Sequence, residues 1–203
     1  KQKISDLIRV LMTVFAGNFI GAAALALLVS ASGQLDYSGG ILGAYTIKVA
    51  LAKVNLPFGQ AMISGVLCNI LVCAAVLMAG CAKDITGKLL ASFFTIMLFV
   101  TAGFEHCVAN MYYITAGMAA LKNPAYVQLA VQEYGFSADQ LATLNIGNFM
   151  VANLLPVTIG NVVGGAVLGL ALLYFNKEKA VETVKEEKRN GIVFDNHVAG
   201  ALH

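Results

Sequence analysis

The sequence predicts an all-α, polytopic membrane protein, and three observations carry that expectation. Of its 203 residues 59% are apolar and 12% charged, and Trp is absent. Four long stretches are free of charge or interrupted once: Val10–Leu35, Val54–Ala82, Leu89–Leu121 and Gln140–Asn176. Each exceeds the about 20 predominantly apolar residues that a helix needs to cross a bilayer. A soluble domain of this length shows more amphipathic patterning. The third observation is the interruption itself. Glu105-His106 follows sixteen uncharged residues, Leu89–Phe104, and precedes fifteen more, Cys107–Leu121. An ionisable group at that depth costs roughly 2.5–3.5 kcal/mol or more, so such groups face a bundle interior or a water-filled path. The alternative is a buried polar pair that only ties helices together.

The elements follow in order. Val10–Leu35 is the first span. In the linker Ser32–Leu56, Lys48 and Lys53 interrupt an apolar pattern over Ile41–Val54, which predicts a short interfacial helix on the outer side. Pro57 starts the second span. Leu89–Leu121 is thirty-three residues, about 50 Å as one straight helix, against a hydrocarbon core of about 30 Å. A break near Gly103–Asn110 resolves the excess, and helices broken at mid-membrane are where substrate sites are found. Asn123-Pro124-Ala125 matches an aquaporin box, but only one copy is present. Pro at the first position of a surface helix over Ala125–Tyr134 explains it without function. Pro156 lies inside the run Gln140–Asn176 and is expected to separate a lead-in segment from the main crossing. Lys177–Arg189 alternates Lys and Glu like a solvated helix. His197 and His203 fall in the polar tail, where solvent exposure explains them.

A faint repeat relates the ends. Gly17-Asn18-Phe19-Ile20-Gly21 lies in the first span and Gly160-Asn161-Val162-Val163-Gly164 in the fourth, each followed by small residues. Gly-x-x-x-Gly alone says only that helices approach closely. The shared Asn, on helices of opposite direction, points to an inverted repeat, an architecture of transporters and channels. The second copy follows two other spans, the first follows none, and residue 1 is Lys. Read as an inverted repeat, the pattern expects two preceding helices, roughly 50–100 residues with their connections.

The four cysteines, Cys68, Cys73, Cys81 and Cys107, show no disulfide framework and no metal-ligand spacing, and read as small apolar residues. A membrane enzyme needs a nucleophile or a metal cluster, and no His-Glu-x-x-His or comparable constellation occurs. No catalytic residue, metal, cofactor or nucleic-acid partner is therefore expected. An aquaporin-like or ammonia-type neutral solute channel is one alternative to an anion channel, although an ammonia channel is expected to use a His pair and a single His is embedded here. A non-conducting membrane subunit is the other, and it gives no reason for Glu105-His106.

These residues resemble the formate/nitrite transporter family of pentameric anion channels. The resemblance runs from Gly17-Asn18 through Gly103-Phe104-Glu105-His106 and Ala109-Asn110-Met111 to Pro156-Val157-Thr158-Ile159-Gly160-Asn161. The Phe-Glu-His element with Ala-Asn-Met is the specific part, and the glycine-rich elements support it. It implies an aquaporin-like inverted-repeat bundle with broken helices, six helices per protomer and one pore in each. Residues 1–176 would be the channel domain, covering the third helix of the first half and the complete second half, or about four of six transmembrane helices. Residues 177–203 would be a polar cytoplasmic tail. The resemblance further implies a homopentamer in the bilayer of a bacterial cytoplasmic membrane, with small monovalent anions as its partners.

By the same resemblance His106 is the lone pore histidine, Phe99 and Val72 line narrow points, and Asn69 and Asn161 flank the pore. Lys53 with Glu105 forms polar support near the histidine. Cys107 stands where many members have Ser, which leaves the preference among hydrosulfide, formate and nitrite open; hydrosulfide is favoured on overall similarity. Independently of resemblance, a bare anion in hydrocarbon faces a penalty of tens of kcal/mol and its neutral acid far less. An unperturbed His titrates near 6.5, so it can protonate or hydrogen-bond a weak-acid anion, while a Lys adds a field that draws anions inward. For Phe99 and Val72 the alternative is ordinary packing, and for Lys53 a snorkelling interfacial lysine.

Charge placement orients the chain. Lys1, Lys3 and Arg9, the loop with Lys83 and Lys88, and Lys177, Lys179, Lys185, Lys188 and Arg189 share one side of four spans, holding ten of thirteen Lys+Arg. The positive-inside rule makes that side cytoplasmic. Single cysteines placed in a Cys-depleted background test this in intact cells. An impermeant thiol reagent is expected to reach position 48 and not position 179; the reverse pattern inverts the topology.

Overall fold

A computed structural model describes residues 3–189, with side chains for residues 3–176. The described residues are helical apart from turns and form two compact units divided after Gly165. Among the described residues, three helical stretches are long and apolar enough to cross a membrane: Ile4–Ala31, Phe58–Cys81 and Ile146–Asn176.

Helix α1, Ile4–Ala31, exposes Ile4, Leu11, Ile20 and Leu28 on one side and on the other packs Phe15, Phe19, Ala22 and the buried Ala26 toward α5 and the interior. A face this apolar is unfavourable in water and suited to a bilayer. After one 3₁₀ turn at Gln34–Asp36, Ser38, Gly39 and Gly40 all take positive φ, at 54°, 66° and 93°. Only a chain with glycine there turns so sharply at small cost. The turn delivers α2, Ile41–Val54, whose bounds are those the sequence predicts.

The position of α2 differs from that expectation. It does not lie along an interface: Gly43, Ala44, Ile47, Ala50, Leu51 and Val54 are buried, and the helix packs against α5, Cys107–Ala120. Gly117 of α5 sits against Ala50 and the Thr46 carbonyl, while Lys53 reaches Glu105 just ahead of α5, so the two run antiparallel. Each has 14 residues, about 21 Å. Neither spans a core of about 30 Å. These half-length helices form the centre, with Ile47, Met111, Ile114 and Phe149 fully buried. The two lysines thus part company. Lys48 is exposed with its Nζ 4.5 Å from the Tyr134 ring centroid, and Lys53 turns inward. On the linker side, Tyr126 Oη of α6, Pro124–Tyr134, donates to Asp36 Oδ1 at 2.5 Å, and accepting that bond on a carboxylate pushes the phenol's pKa up. Helix α6 starts one residue earlier than expected because Asn123 Oδ1 accepts the Ala125 N–H at 3.0 Å and Pro124 occupies the first turn.

Helix α3, Phe58–Cys81, follows Pro57. Helix α4, Ile85–Thr101, begins at Asp84, whose side chain accepts from Gly87 N–H at 2.8 Å. Its end is a Schellman motif: Phe104 N–H donates to Phe99 O at 3.0 Å, Gly103 N–H to Val100 O at 3.1 Å, and Gly103 has φ +72°. The break in the third apolar run is therefore Ala102–His106, shorter than expected, because His106 already caps α5 and Asn110 lies within it. Two short helices, α7 at Ala138–Ala142 and α8 at Ile146–Asn148, lead to a π-helical stretch, Phe149–Leu154, and then α9, Leu155–Arg189. Pro156 does not split this run. A proline ring clashes with the carbonyl four residues back and lacks an N–H. The π-helical stretch just upstream accommodates both demands, so the crossing continues. Backbone helix extends over Lys177–Arg189; the side chains there, and His197 and His203, lie outside the described residues.

Small residues let α3 and α9 approach closely. A Cβ on Gly160 or Gly164 would strike the Met62 or Val66 carbonyl, whereas one on Gly17 or Gly21 meets nothing within 4 Å. Gly160→Ala is expected to destabilise by about 1–3 kcal/mol through overpacking against the Met62 carbonyl. Thermal unfolding of the variant and the unsubstituted protein in detergent compares them directly, and equal midpoints would refute the close approach of α3 and α9.

Candidate functional site

Glu105 organises the interior. It is 5% exposed. Its Oε1 pairs with Lys53 Nζ at 2.8 Å, and its Oε2 accepts from Asn110 Nδ2 at 2.6 Å and Asn153 Nδ2 at 3.2 Å. Asn110 Nδ2 also donates to Asn153 Oδ1 at 2.8 Å, and Asn153 Nδ2 to the Lys53 carbonyl at 2.9 Å. Lys53 lies in the last turn of α2 and Glu105 just before the first turn of α5. Each charge therefore faces the helix end whose dipole favours it. With its Nζ on the carboxylate and 5.5 Å from the Tyr113 ring centroid, Lys53 does not snorkel.

One residue further on, His106 caps α5. Its Nδ1 accepts the Ala109 N–H at 3.2 Å, so by this bond the neutral ring carries its proton on Nε2. The Phe99 ring stacks against it with centroids 5.8 Å apart and planes 24° from parallel. The backbone on either side is bracketed by one side chain. Asn161 Nδ2 donates to the Glu105 carbonyl at 3.0 Å and to the Gly65 carbonyl at 2.9 Å, while Asn161 Oδ1 accepts the Cys107 N–H at 3.0 Å. Ser64 Oγ accepts the Glu105 N–H at 3.0 Å. The turn that presents the imidazole is thus held from α3 and α9 together.

A cavity of about 550 Å³ opens beside it, lined by His106, Cys107 and Val108 at the start of α5, Asn69 of α3, Thr158, Asn161 and Val162 of α9, and an apolar face of α1 that ends in Asn18. The structure brings His106, Asn69 and Asn161 to one wall space and puts Phe99 behind the histidine, buried against it. Val72 sits one turn beyond Asn69 on α3 and is not part of this lining. Lys53 and Glu105 also stand back from it. Of the cysteines, Cys68 is buried and Cys81 exposed, while Cys107 contributes to the cavity as well as to packing.

Four polar residues in this arrangement had no assigned role from sequence: Ser64, Asn110, Asn153 and Asn18. Asn110 was visible inside the Ala-Asn-Met element and Asn18 inside the repeat. Asn153 had no signal, because only the π-helical stretch turns it toward Glu105.

A bundle of apolar helices around a buried ion pair, with a capped histidine at the edge of a cavity, defines an integral membrane protein. The family described as Formate/nitrite transporter matches residues 1–175, and the chain belongs to it. The formate channel FocA of Haemophilus influenzae is 38% identical over 176 residues, covering 85% of this chain and 61% of that protein. The formate channel FocB of Escherichia coli is 37% identical over 159 residues, covering 77% and 55%. The chain therefore spans little more than half the length of the curated relatives it matches. Among solved structures, a pentameric formate channel with formate bound superposes with a TM-score of 0.76 at 34% identity, covering 85% of this chain and 67% of that one.

Lys53→Met leaves the Glu105 carboxylate buried without its countercharge, which is expected to cost about 3–5 kcal/mol. Adding Glu105→Gln to the same protein is expected to restore most of that loss. Thermal stability of the single and double variants decides it; a double variant no better than Lys53→Met alone would mean the pair is not what Glu105 depends on.

Proposed function

We propose that the complete protein is a membrane channel for small monovalent weak-acid anions, with His106 as the group that meets the permeant. The observation that carries this reading is the imidazole at the cavity edge, tied through Nδ1 to Ala109 and so left with Nε2–H for a ligand. The channels named as relatives carry formate in their names, which puts formate first among the candidates, with hydrosulfide and nitrite as further anions of the same kind. The pentameric state of the solved relative supports a homopentamer here. Residues 1–176 serve as the channel domain and residues 177–203 as a cytoplasmic tail, in a bacterial cytoplasmic membrane.

An anion leaving water for an apolar passage loses hydration worth tens of kcal/mol, so something must replace it or the charge must be removed. While Nδ1 accepts from Ala109, the ring is neutral and its Nε2–H stabilises the anion by a hydrogen bond. Handing over a proton requires the imidazolium, whose Nδ1–H cannot accept that bond, so proton transfer goes with release of the cap. Asn69 and Asn161 flank the passage. The family resemblance would make Phe99, stacked behind the ring, and Val72, one turn from Asn69 on α3, apolar narrow points away from this cavity that reject hydrated ions. Cys107 in the lining adds a small weakly polar side to the space beside His106.

Flux of formate, nitrite and hydrosulfide into liposomes containing the complete protein tests this. His106→Phe is expected to abolish or radically alter flux, but it also removes a helix cap worth about 0.5–2 kcal/mol. His106→Asn keeps a capping side chain and loses the imidazole, and is expected to assemble normally with at least about tenfold lower flux, the worth of one hydrogen bond to a charge. Assembled His106→Asn and His106→Phe channels with unchanged flux and pH dependence would sink the mechanism.

A further inference from the structure

The π-helical stretch Phe149–Leu154 is pinned at both ends. Upstream, Asn145 Oδ1 accepts the Asn148 N–H at 3.0 Å and Asn148 Nδ2 donates to the Thr143 carbonyl at 2.8 Å. Phe149, fully buried, stacks on Phe19 with centroids 5.8 Å apart. Downstream, Gly160 lies on the Met62 carbonyl, and Asn161 bonds the carbonyls of Gly65 and Glu105 and the Cys107 N–H. Between these pins the Leu155 N–H donates to the Met150 carbonyl, five residues back instead of four. A π-helical turn is an α-helix that has taken in one extra residue. The chain between the pins is therefore one residue longer than an α-helix there would hold.

Taken back into α register, that residue would turn one flank against the other by about 100°, one residue's share of a 3.6-residue turn. Pro156 stands against this. It follows directly after the stretch, and its side chain is fully buried. In α register its ring would meet the Ala152 carbonyl, which would also find no N–H at position 156. A wider turn immediately upstream avoids the clash. Phe149, Asn153 and Pro156 are all fully buried and Asn161 is buried, so every part of this arrangement is enclosed by residues of the chain itself.

We propose that Pro156 is a positioning residue for His106: by excluding the α register from the turn before it, the proline keeps α9 rotated so that Asn161 brackets the two peptide groups flanking His106 while Asn153 reaches Glu105. The carbonyl before His106 and the N–H after it both end on the Asn161 carboxamide, with His106 itself at φ −116° and ψ 115°. Rotating α9 by one residue removes both bonds at once. With them goes the support that keeps the ring's Nδ1 on the Ala109 N–H. The orientation of the imidazole is at stake whatever passes beside it, and only the flux readout rests on the anion-channel reading.

The experiment uses the complete protein with Pro156→Ala, with Val151 deleted from the stretch, and with both changes. Losing the proline alone frees the stretch to become α-helical and draws Asn161 off the His106 turn. Losing the extra residue alone forces α register against the proline. Losing both leaves an α-helix that meets both pins, so the two harmful changes are expected to cancel. Solid-state nitrogen NMR of the histidine rings, with His106 assigned by its loss in His106→Asn, is expected to show the Nε2–H tautomer in the parent. A second tautomer, protonated on Nδ1, is expected in Pro156→Ala, and the parent pattern again in the combined variant. Formate flux into liposomes is expected to fall about tenfold or more in each single variant, the worth of the hydrogen bonds lost at the turn, and to recover in the combination. A poor yield of assembled protein from either single change, restored by the combination, is the same cancellation read through folding. Pro156→Ala with the parent's ring signal, or a combined variant no better than the worse single one, overturns the proposal. A parent that carries no anion while the ring signals behave as expected overturns the channel reading and upholds the role of Pro156.

Discussion

Everything inside this bundle is arranged so that one carboxylate can be buried. Glu105 cannot stay ionised in an apolar interior without a countercharge and hydrogen bonds to both oxygens, since the penalty for an uncompensated charge exceeds what packing returns. The countercharge is Lys53, on a helix that must stop at the depth where Glu105 sits. The remaining hydrogen bonds come from Asn110 and Asn153, so α5 must start immediately after Glu105, and α8 through α9 must pass with a π-helical register that turns Asn153 inward. Two half-length helices and an irregular third follow from one ion pair.

Half-helices inside a bilayer create a second problem, because their ends carry unpaired N–H and C=O groups that lipid cannot satisfy. Side chains of neighbouring elements meet that need here. Asn153 donates to the carbonyl of Lys53 at the end of α2, His106 accepts from Ala109 at the start of α5, and Asn161 takes the Cys107 N–H. These contacts require α3 and α9 to come within backbone distance, which the glycines at 65, 160 and 164 permit. The outer surfaces of α1, α3 and α4 can then be largely apolar, with Ile20, Val76 and Phe93 among their exposed residues.

How much of this could be read from the chain depends on whether a residue's role is local. The spans, the need for a break in Leu89–Leu121 and the bounds of Ile41–Val54 follow from length, charge and periodicity, and each has its counterpart in the structure. The burial of α2 was not legible: a short helix with two lysines reads as interfacial until one knows that Lys53 has a partner 52 positions away. Pro156 read as a divider because proline breaks α-helices; the upstream π-helical stretch that accommodates it leaves no trace in composition. Within the site, Glu105-His106 stood out by being ionisable in an apolar run. Asn153 is one uncharged polar residue among many in its segment, and only tertiary geometry distinguishes it.

If the protein is the anion channel proposed above, the ion pair also constrains how an anion would be held. A free lysine near the passage would attract anions with the field of a full charge, but Lys53 has Glu105 Oε1 at 2.8 Å, so at a distance the pair acts as a small dipole with no net charge. The start of α5 offers a positive helix end, yet of its first three N–H groups Cys107 is taken by Asn161 and Ala109 by His106. What the cavity retains is therefore directional: an imidazole N–H, side-chain amides and the residual helix field, set among apolar walls. In the channel proposed here, such a site would stabilise a small anion by a few oriented hydrogen bonds and not by a fixed opposite charge. It would hold the ion weakly enough to let it go, which a passage needs and a tight binding site does not.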